Sequence, residues 1–233
     1  MTKTVNHATS VDHKPTIVFI HGWGLNHSVW LPVAEKLQTQ FRVNLIDLPG
    51  FGDKSAVEMD EYSIEKVAEY VAAHIDQQAI VVGWSLGGLV ATYLALHFPE
   101  KVKQLITVAS SPYFVEQENW PGIDAKVLAS FHQQLSTNSE KTITNFLKIQ
   151  AMGSPHVRHD IKQISEWGFQ HEMASQVTLD QSLALLESSD YRNYLQAITK
   201  PFLRLYGNAD SLVPKSVITK VDELAPKSNV HIF

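Results

Sequence analysis

The sequence predicts an α/β protein built on a mostly parallel sheet covered on both faces, and three observations carry that prediction. Short runs rich in Val and Ile alternate with segments of helical period along most of the chain. One of those runs ends in a serine set between glycines and passes at once into an apolar helical pattern. From Ser110 to Ala197 the alternation stops, and no convincing strand pattern is found. The organisation expected is a first part of the core over 1–109, a helical cap or lid over 110–197, and a second part of the core over 198–233.

Strand patterns are Thr16 to Ile20, Arg42 to Ile46, Ala79 to Val82, Gln104 to Val108, Phe202 to Tyr206 and Asn229 to Phe233. Helical patterns between them are Ser63 to Ile75, which opens on a serine cap, Leu86 to His97, which stops before Pro99, and Val217 to Leu224. Within the cap, Asp124 to Gln150 and Gln176 to Leu195 read as helices. Parallel strands with helices on both faces are what this order requires.

Length and composition bound the rest. A chain of 233 residues, 44% hydrophobic and 18% charged, is expected to form one domain around a single core. The first fifteen residues lack the apolar stretch of a signal peptide, and no run approaches the roughly 18 apolar residues of a membrane span, so a cytoplasmic monomer is expected. A net charge of −5 gives no general attraction to nucleic acid or to an anionic membrane. Cysteine is absent, which removes disulfides, thiolate metal sites and cysteine nucleophiles.

The chemistry centres on Gly83-Trp84-Ser85-Leu86-Gly87, a G-x-S-x-G pattern between the strand AIVV and the helix LGGLVATYLALH. A serine there sits on a very tight turn, clear of the sheet and at a helix N-terminus, where the local field favours a developing anion. Ser85 is the expected nucleophile. His21-Gly22-Trp23-Gly24 follows the first strand, and its small residues let backbone N–H groups approach a tetrahedral oxygen. The oxyanion hole is assigned to the N–H groups of Trp23 and Leu86, with His21 expected to brace the loop. Asp210 lies in the loop after a late strand, ahead of Val213-Pro214, where the acid of a Ser, Asp, His order belongs. Asp47-Leu48-Pro49-Gly50-Phe51-Gly52 has the composition of a tight structural turn.

A Ser and Asp pair without imidazole cannot move the serine proton in the usual way. The base is expected in the loop after the last strand, and the chain ends on that strand; a C-terminal histidine loop and closing helix are therefore expected to be missing from this sequence. His231 lies within the strand pattern, with its side chain expected to point out of the sheet. His97, His132, His156, His159 and His171 lie on or near helical patterns and read as surface or cap residues.

The strings HGWGLN, DLPGFG, GWSLGGLVA, TVASSP, WPGI, FLRLYG and LVP together resemble the pimeloyl-acyl-carrier-protein methyl ester esterases of biotin synthesis, members of the α/β-hydrolase superfamily. The resemblance runs from about residue 16 to the end. It implies a serine carboxylesterase with Ser85 as nucleophile, Asp210 as acid, and Trp23 and Leu86 lining the acyl site. It further implies that Phe146, Leu147, Lys148, Ile149 and Gln150 of the cap touch the acyl chain. A basic face for an acidic acyl carrier protein is implied at Lys141, Arg158 and Lys162, with Asn145 where an arginine is expected. No metal or organic cofactor is implied. Other readings of the same motifs are a carbon–carbon bond hydrolase, a cofactor-free peroxidase, a broad short-chain esterase, or a non-catalytic binder. Dehalogenases and epoxide hydrolases carry aspartate at the elbow, so Ser85 disfavours them.

Overall fold

Six strands form one sheet: β1 (Thr16–Ile20), β2 (Arg42–Ile46), β3 (Ala79–Trp84), β4 (Val102–Val108), β5 (Phe202–Tyr206) and β6 (Asn229–Ile232). They lie side by side in the order β2-β1-β3-β4-β5-β6, and each adjacent pair is parallel. The computed structural model describes residues 14–152, 154 and 156–233. The N-terminal stretch expected to lack a signal peptide therefore lies mostly outside the described residues.

The chain runs from β1 outward to β2 and then returns to place β3 on the other side of β1. Loops leaving β1 and β3 consequently diverge at a switch point, where such sheets open a crevice at their carboxyl edge. The loops bearing Gly22 and Ser85 are the two that meet there. A methyl group added to Gly22 would stand 3.4 Å from the Ser85 Cβ.

The helices are α1 (Leu31–Leu37), α2 (Ile64–Ala73), α3 (Leu86–His97), α4 (Ala125–Leu135), α5 (Ser139–Gln150), α6 (Val157–Gly168), α7 (Gln176–Ser188) and α8 (Ser216–Leu224). Helix α3 is apolar on every side and is buried from Leu86 to Ala95 apart from Tyr93, so it lies inside the layers rather than on them. Its Leu89, Val90 and Leu94 pack with Val67 and Val71 of α2 and with Val18, Val81 and Leu105 from the sheet. Strand side chains alternate faces, and Ile17, Phe19 and Val82 gather on the opposite face around Trp30. At the far edge Val230, Ile232 and Phe233 are exposed.

Among the described residues four α-helices fill the interval between β4 and β5, and that interval holds no strand, only the bridges Val115 to Ile123 and Gln117 to Trp120. The single helix expected over 124–150 is two. Asp124 caps the first by accepting from the Lys126 N–H, and Asn138 caps the second by accepting from the Lys141 N–H, so the chain restarts at each short polar side chain. The helix expected to reach Leu195 stops at Ser188, because Asp190 accepts the Arg192 N–H and binds its guanidinium, diverting the backbone into a 3-10 turn over Arg192–Ala197. Helix α6 falls outside the two helices expected in the cap. Its Val157, Ile161 and Ile164 nevertheless recur at helical spacing and point the same way.

Candidate active site

Ser85 follows β3 directly and caps α3 with φ 53° and ψ −115°, a conformation that L-residues rarely adopt. Three contacts hold it there. Its N–H donates to Val108 O at 3.0 Å, and its carbonyl accepts from the Gly88 N–H at 2.9 Å and from Ser110 Oγ at 2.8 Å. The flanking glycines are steric requirements. A Cβ on Gly83 would fall onto the Gly87 carbonyl, and a Cβ on Gly87 would lie 2.5 Å from His21 O. The elbow thus brings the end of β3, the start of α3 and the loop after β1 within backbone contact.

In that loop, Trp23 is buried, donates from Nε1 to Leu179 O of α7 at 3.0 Å, and packs at 5.0 Å from the Phe146 ring of α5. The strand loop is therefore clamped by the insertion above it. Among the described residues neither the Trp23 N–H nor the Leu86 N–H has an acceptor. Two donors beside the serine are thus available to an oxygen ligand.

His21 is fully buried, with Nδ1 at 2.8 Å from Gly22 O and Nε2 accepting from the Leu48 N–H at 3.0 Å. The carbonyl partner fixes the proton on Nδ1, so both nitrogens are engaged and the ring is neutral. Burial pushes its pKa below the ordinary imidazole value, against the pull of Asp47 at 3.9 Å. It braces the loop and is not free to accept a proton.

Asp210 sits in the loop after β5, and its Oδ1 accepts from the N–H groups of Leu212 at 2.9 Å and Val213 at 3.0 Å. Burial raises its carboxyl to about 6, against those two bonds. Strands β3 and β5 flank β4, so Ser85 and Asp210 leave the sheet two strand spacings apart, roughly 10 Å. Beside them the Asn208 N–H donates to Phe233 O at 2.8 Å, which puts the end of β6 against the Asp210 loop. A cavity of about 670 Å³ opens here, with Trp84, Val108 and Ala109 on the sheet side and Asp210 and Phe233 along its rim.

The insertion supplies the other wall. Leu147 and Gln150 of α5 line the cavity, together with Met152, Ser154, Asp160 and Ile164, none of which the sequence reading singled out. The missed wall belongs to α6 and the turn before it, whose apolar spacing was the available signal. Phe146 points inward between Trp23 and Phe131. Lys148 and Ile149 lie instead in an outer groove with Lys126, Val127 and Asn145. Five consecutive helical residues sweep more than a full turn, so they cannot share one cavity. Lys141 and Arg158 are exposed, and Lys162 is exposed with its Nζ 3.7 Å from Glu166. No histidine ring among the described residues bonds to Ser85 or Asp210, and His231 is exposed in β6.

Residues 15–233 match the model of the alpha/beta hydrolase fold family. A pimeloyl-[acyl-carrier protein] methyl ester esterase of Aeromonas hydrophila is 47% identical over 214 residues, covering 92% of this chain and 84% of that protein. The protein of the same description from Vibrio cholerae is 43% identical over 217 residues, covering 93% and 84%. Among solved structures, an esterase from Exiguobacterium antarcticum superposes with a TM-score of 0.83 at 21% identity, covering 94% of this chain and 83% of that one. No helix among the described residues is long and apolar enough to cross a membrane.

Proposed function

Because the chain belongs to the alpha/beta hydrolase fold family, we propose that it is the catalytic body of a serine carboxylesterase acting on the methyl ester of a pimeloyl group borne on acyl carrier protein. The observation that carries the reaction class is the strained Ser85 elbow, with two backbone N–H groups, of Trp23 and Leu86, free beside it. The substrate rests on relatives at 43–47% identity that carry that description.

In this reading the ester carbonyl enters the cavity between sheet and insertion and turns its oxygen toward the Trp23 and Leu86 N–H groups. Each donor contributes on the order of 3 kcal/mol as charge develops on that oxygen. Ser85 Oγ attacks, methanol leaves, and water resolves the acyl-enzyme. Leu147, Ile164 and Met152 offer the acyl chain an apolar wall. Lys141, Arg158 and Lys162, exposed on α5 and α6, are the residues we assign to the acidic carrier.

Among the described residues no histidine bonds to Ser85 or Asp210, so the proton acceptor is not assigned to a residue of this chain. Asp210 keeps Oδ2 without a partner among the described residues, and that oxygen is the one open to orient a protonated base. The test compares the 233-residue chain with the full product of its reading frame on p-nitrophenyl butyrate and on pimeloyl-acyl-carrier-protein methyl ester. The full product is expected to hydrolyse both, and Ser85→Ala to lower kcat on the order of 10⁶-fold. Binding of the carrier-borne ester with no Ser85-dependent turnover would instead identify a non-catalytic binder. Turnover of carbon–carbon substrates without ester hydrolysis would move the reaction class.

A further inference from the structure

A second cluster of chemistry-bearing side chains stands at the corner where the insertion rests on the loops leaving β1 and β2. His27, Asp47 and Asp53 each place one ligand-type atom within 4.8 Å of the others. His171, from the turn after α6, adds an imidazole whose Nδ1 is 3.0 Å from Asp53 Oδ1 and whose ring centroid is 4.9 Å from that of His27. We propose that this corner binds one divalent transition cation of the zinc class, held by His27, Asp47 and Asp53 from the core and by His171 from the insertion.

Several features favour a site over an ordinary hydrogen-bonded corner. Donors bound to one zinc ion at about 2.0–2.2 Å stand up to roughly 4 Å apart, so His27, Asp47 and Asp53 need close in by less than about 1 Å. Two imidazoles and two carboxylates with no thiolate suit zinc rather than calcium or magnesium, which take oxygen alone. The carboxylate of Asp47 is already oriented: Oδ1 accepts the His27 N–H at 2.6 Å and Oδ2 accepts the Asp53 N–H at 2.8 Å. His171 has the second contact that fixes a ligating ring, because Nε2 lies 2.9 Å from Ser28 Oγ while Nδ1 faces the cluster. Asp47 is buried and Asp53 exposed, so the corner has a fixed floor and an open entry. At present His27 Nδ1 and Asp47 Oδ2 share a proton at 2.8 Å; the cation would take its place.

The consequence is mechanical. Gly168 O already accepts from Asn26 Nδ2 at 2.6 Å, so α6, which walls the cavity, is tied to the core at this same corner. A cation shared between His171 and the three core residues would staple α6 in place without entering the chemistry at Ser85.

The experiment is zinc titration of the 233-residue protein against a chromophoric chelator, with magnesium as competitor. One tight equivalent insensitive to magnesium is expected. Asp53→Ala and His27→Gln are each expected to weaken it at least about tenfold, and His171→Ala to weaken it and to abolish zinc protection of α6 against limited proteolysis. Asp53 has an exposed side chain, so its replacement leaves the fold intact and keeps the test decisive if His27→Gln is unstable. His74→Ala and His97→Ala serve as controls and should change nothing. No saturable equivalent, or one that survives both Asp53→Ala and His27→Gln, overturns the proposal.

Discussion

The serine side of the candidate active site is held by backbone geometry, whereas the aspartate side is held by two hydrogen bonds at the mouth of an open cavity. Around Ser85, Gly83 and Gly87 leave no volume for a side chain, and three backbone or hydroxyl contacts pin a conformation the chain would not choose. Around Asp210, the Leu212 and Val213 N–H groups orient one carboxylate oxygen and leave the other without a partner among the described residues. Steric over-determination suits a nucleophile that must not move. A carboxylate whose task is to orient a cationic partner needs one face left open for it.

The largest effect that would break this contrast is on the serine side. Gly83→Ala drives a methyl group into the backbone of Gly87 and Gly88 at the centre of the sheet, where neither β3 nor α3 can yield without disturbing the core. A loss of about 3 kcal/mol or more is expected, read as a fall in the urea midpoint or as failure to accumulate soluble protein. Gly207→Ala on the acid side meets nothing closer than the Asp210 Cβ at 3.6 Å. It should change stability by less than about 1 kcal/mol. Equal losses at the two positions would remove the distinction.

The same contrast governs what could be read from the sequence. The elbow was legible because its constraints are local: strand, glycine, serine, glycine and helix follow one another, and Leu86 to His97 is the helix observed. The loop after β1 was legible from its glycine, since Gly22 packs against Trp84 and Ser85 while Gly87 packs against Ile20 and His21. The cavity wall was not. Met152, Asp160 and Ile164 line the cavity beside Asp210 because α6 and the turn before it fold back over the sheet, and no local rule fixes that crossing. The tie between His27, Asp47 and His171 was equally hidden, as its members lie up to 144 positions apart and the Asp47 segment reads as a turn.

On the acid side the expected effect is smaller and depends on pH. Burial holds the Asp210 carboxyl at about 6, above its unfolded value near 4. The folded state therefore binds the proton more tightly, and ionisation costs stability. That cost is absent below about pH 4, grows through the interval, and is fully present above pH 6. Asp210→Asn keeps an acceptor for the Leu212 and Val213 N–H groups and removes the charge. It is expected to match the parent at pH 4 and to exceed it by about 1 kcal/mol at pH 8, less than the full shift implies because the side chain is partly open to water. Urea denaturation at the two pH values checks this. In a chain carrying the histidine the gain should shrink, because a cation beside Asp210 favours the ionised form.

The last of the predicted effects, with a range that begins at zero, separates strain from chemistry at Ser85 itself. A residue held at φ 53° costs about 1–3 kcal/mol, which glycine does not pay. Glycine loses about 0.5–1 kcal/mol through its freer unfolded chain, so Ser85→Gly is expected to change stability by about 0 to 2.5 kcal/mol in its favour. Ser85→Ala removes the same hydroxyl and keeps the Cβ, and with it the strain. Side-by-side urea curves should place Ser85→Gly above Ser85→Ala, with neither variant hydrolysing ester. If the two are equally stable, the elbow is relaxed and its conformation is a consequence of the fold; if glycine is the more stable, the protein holds its serine in place at the expense of stability.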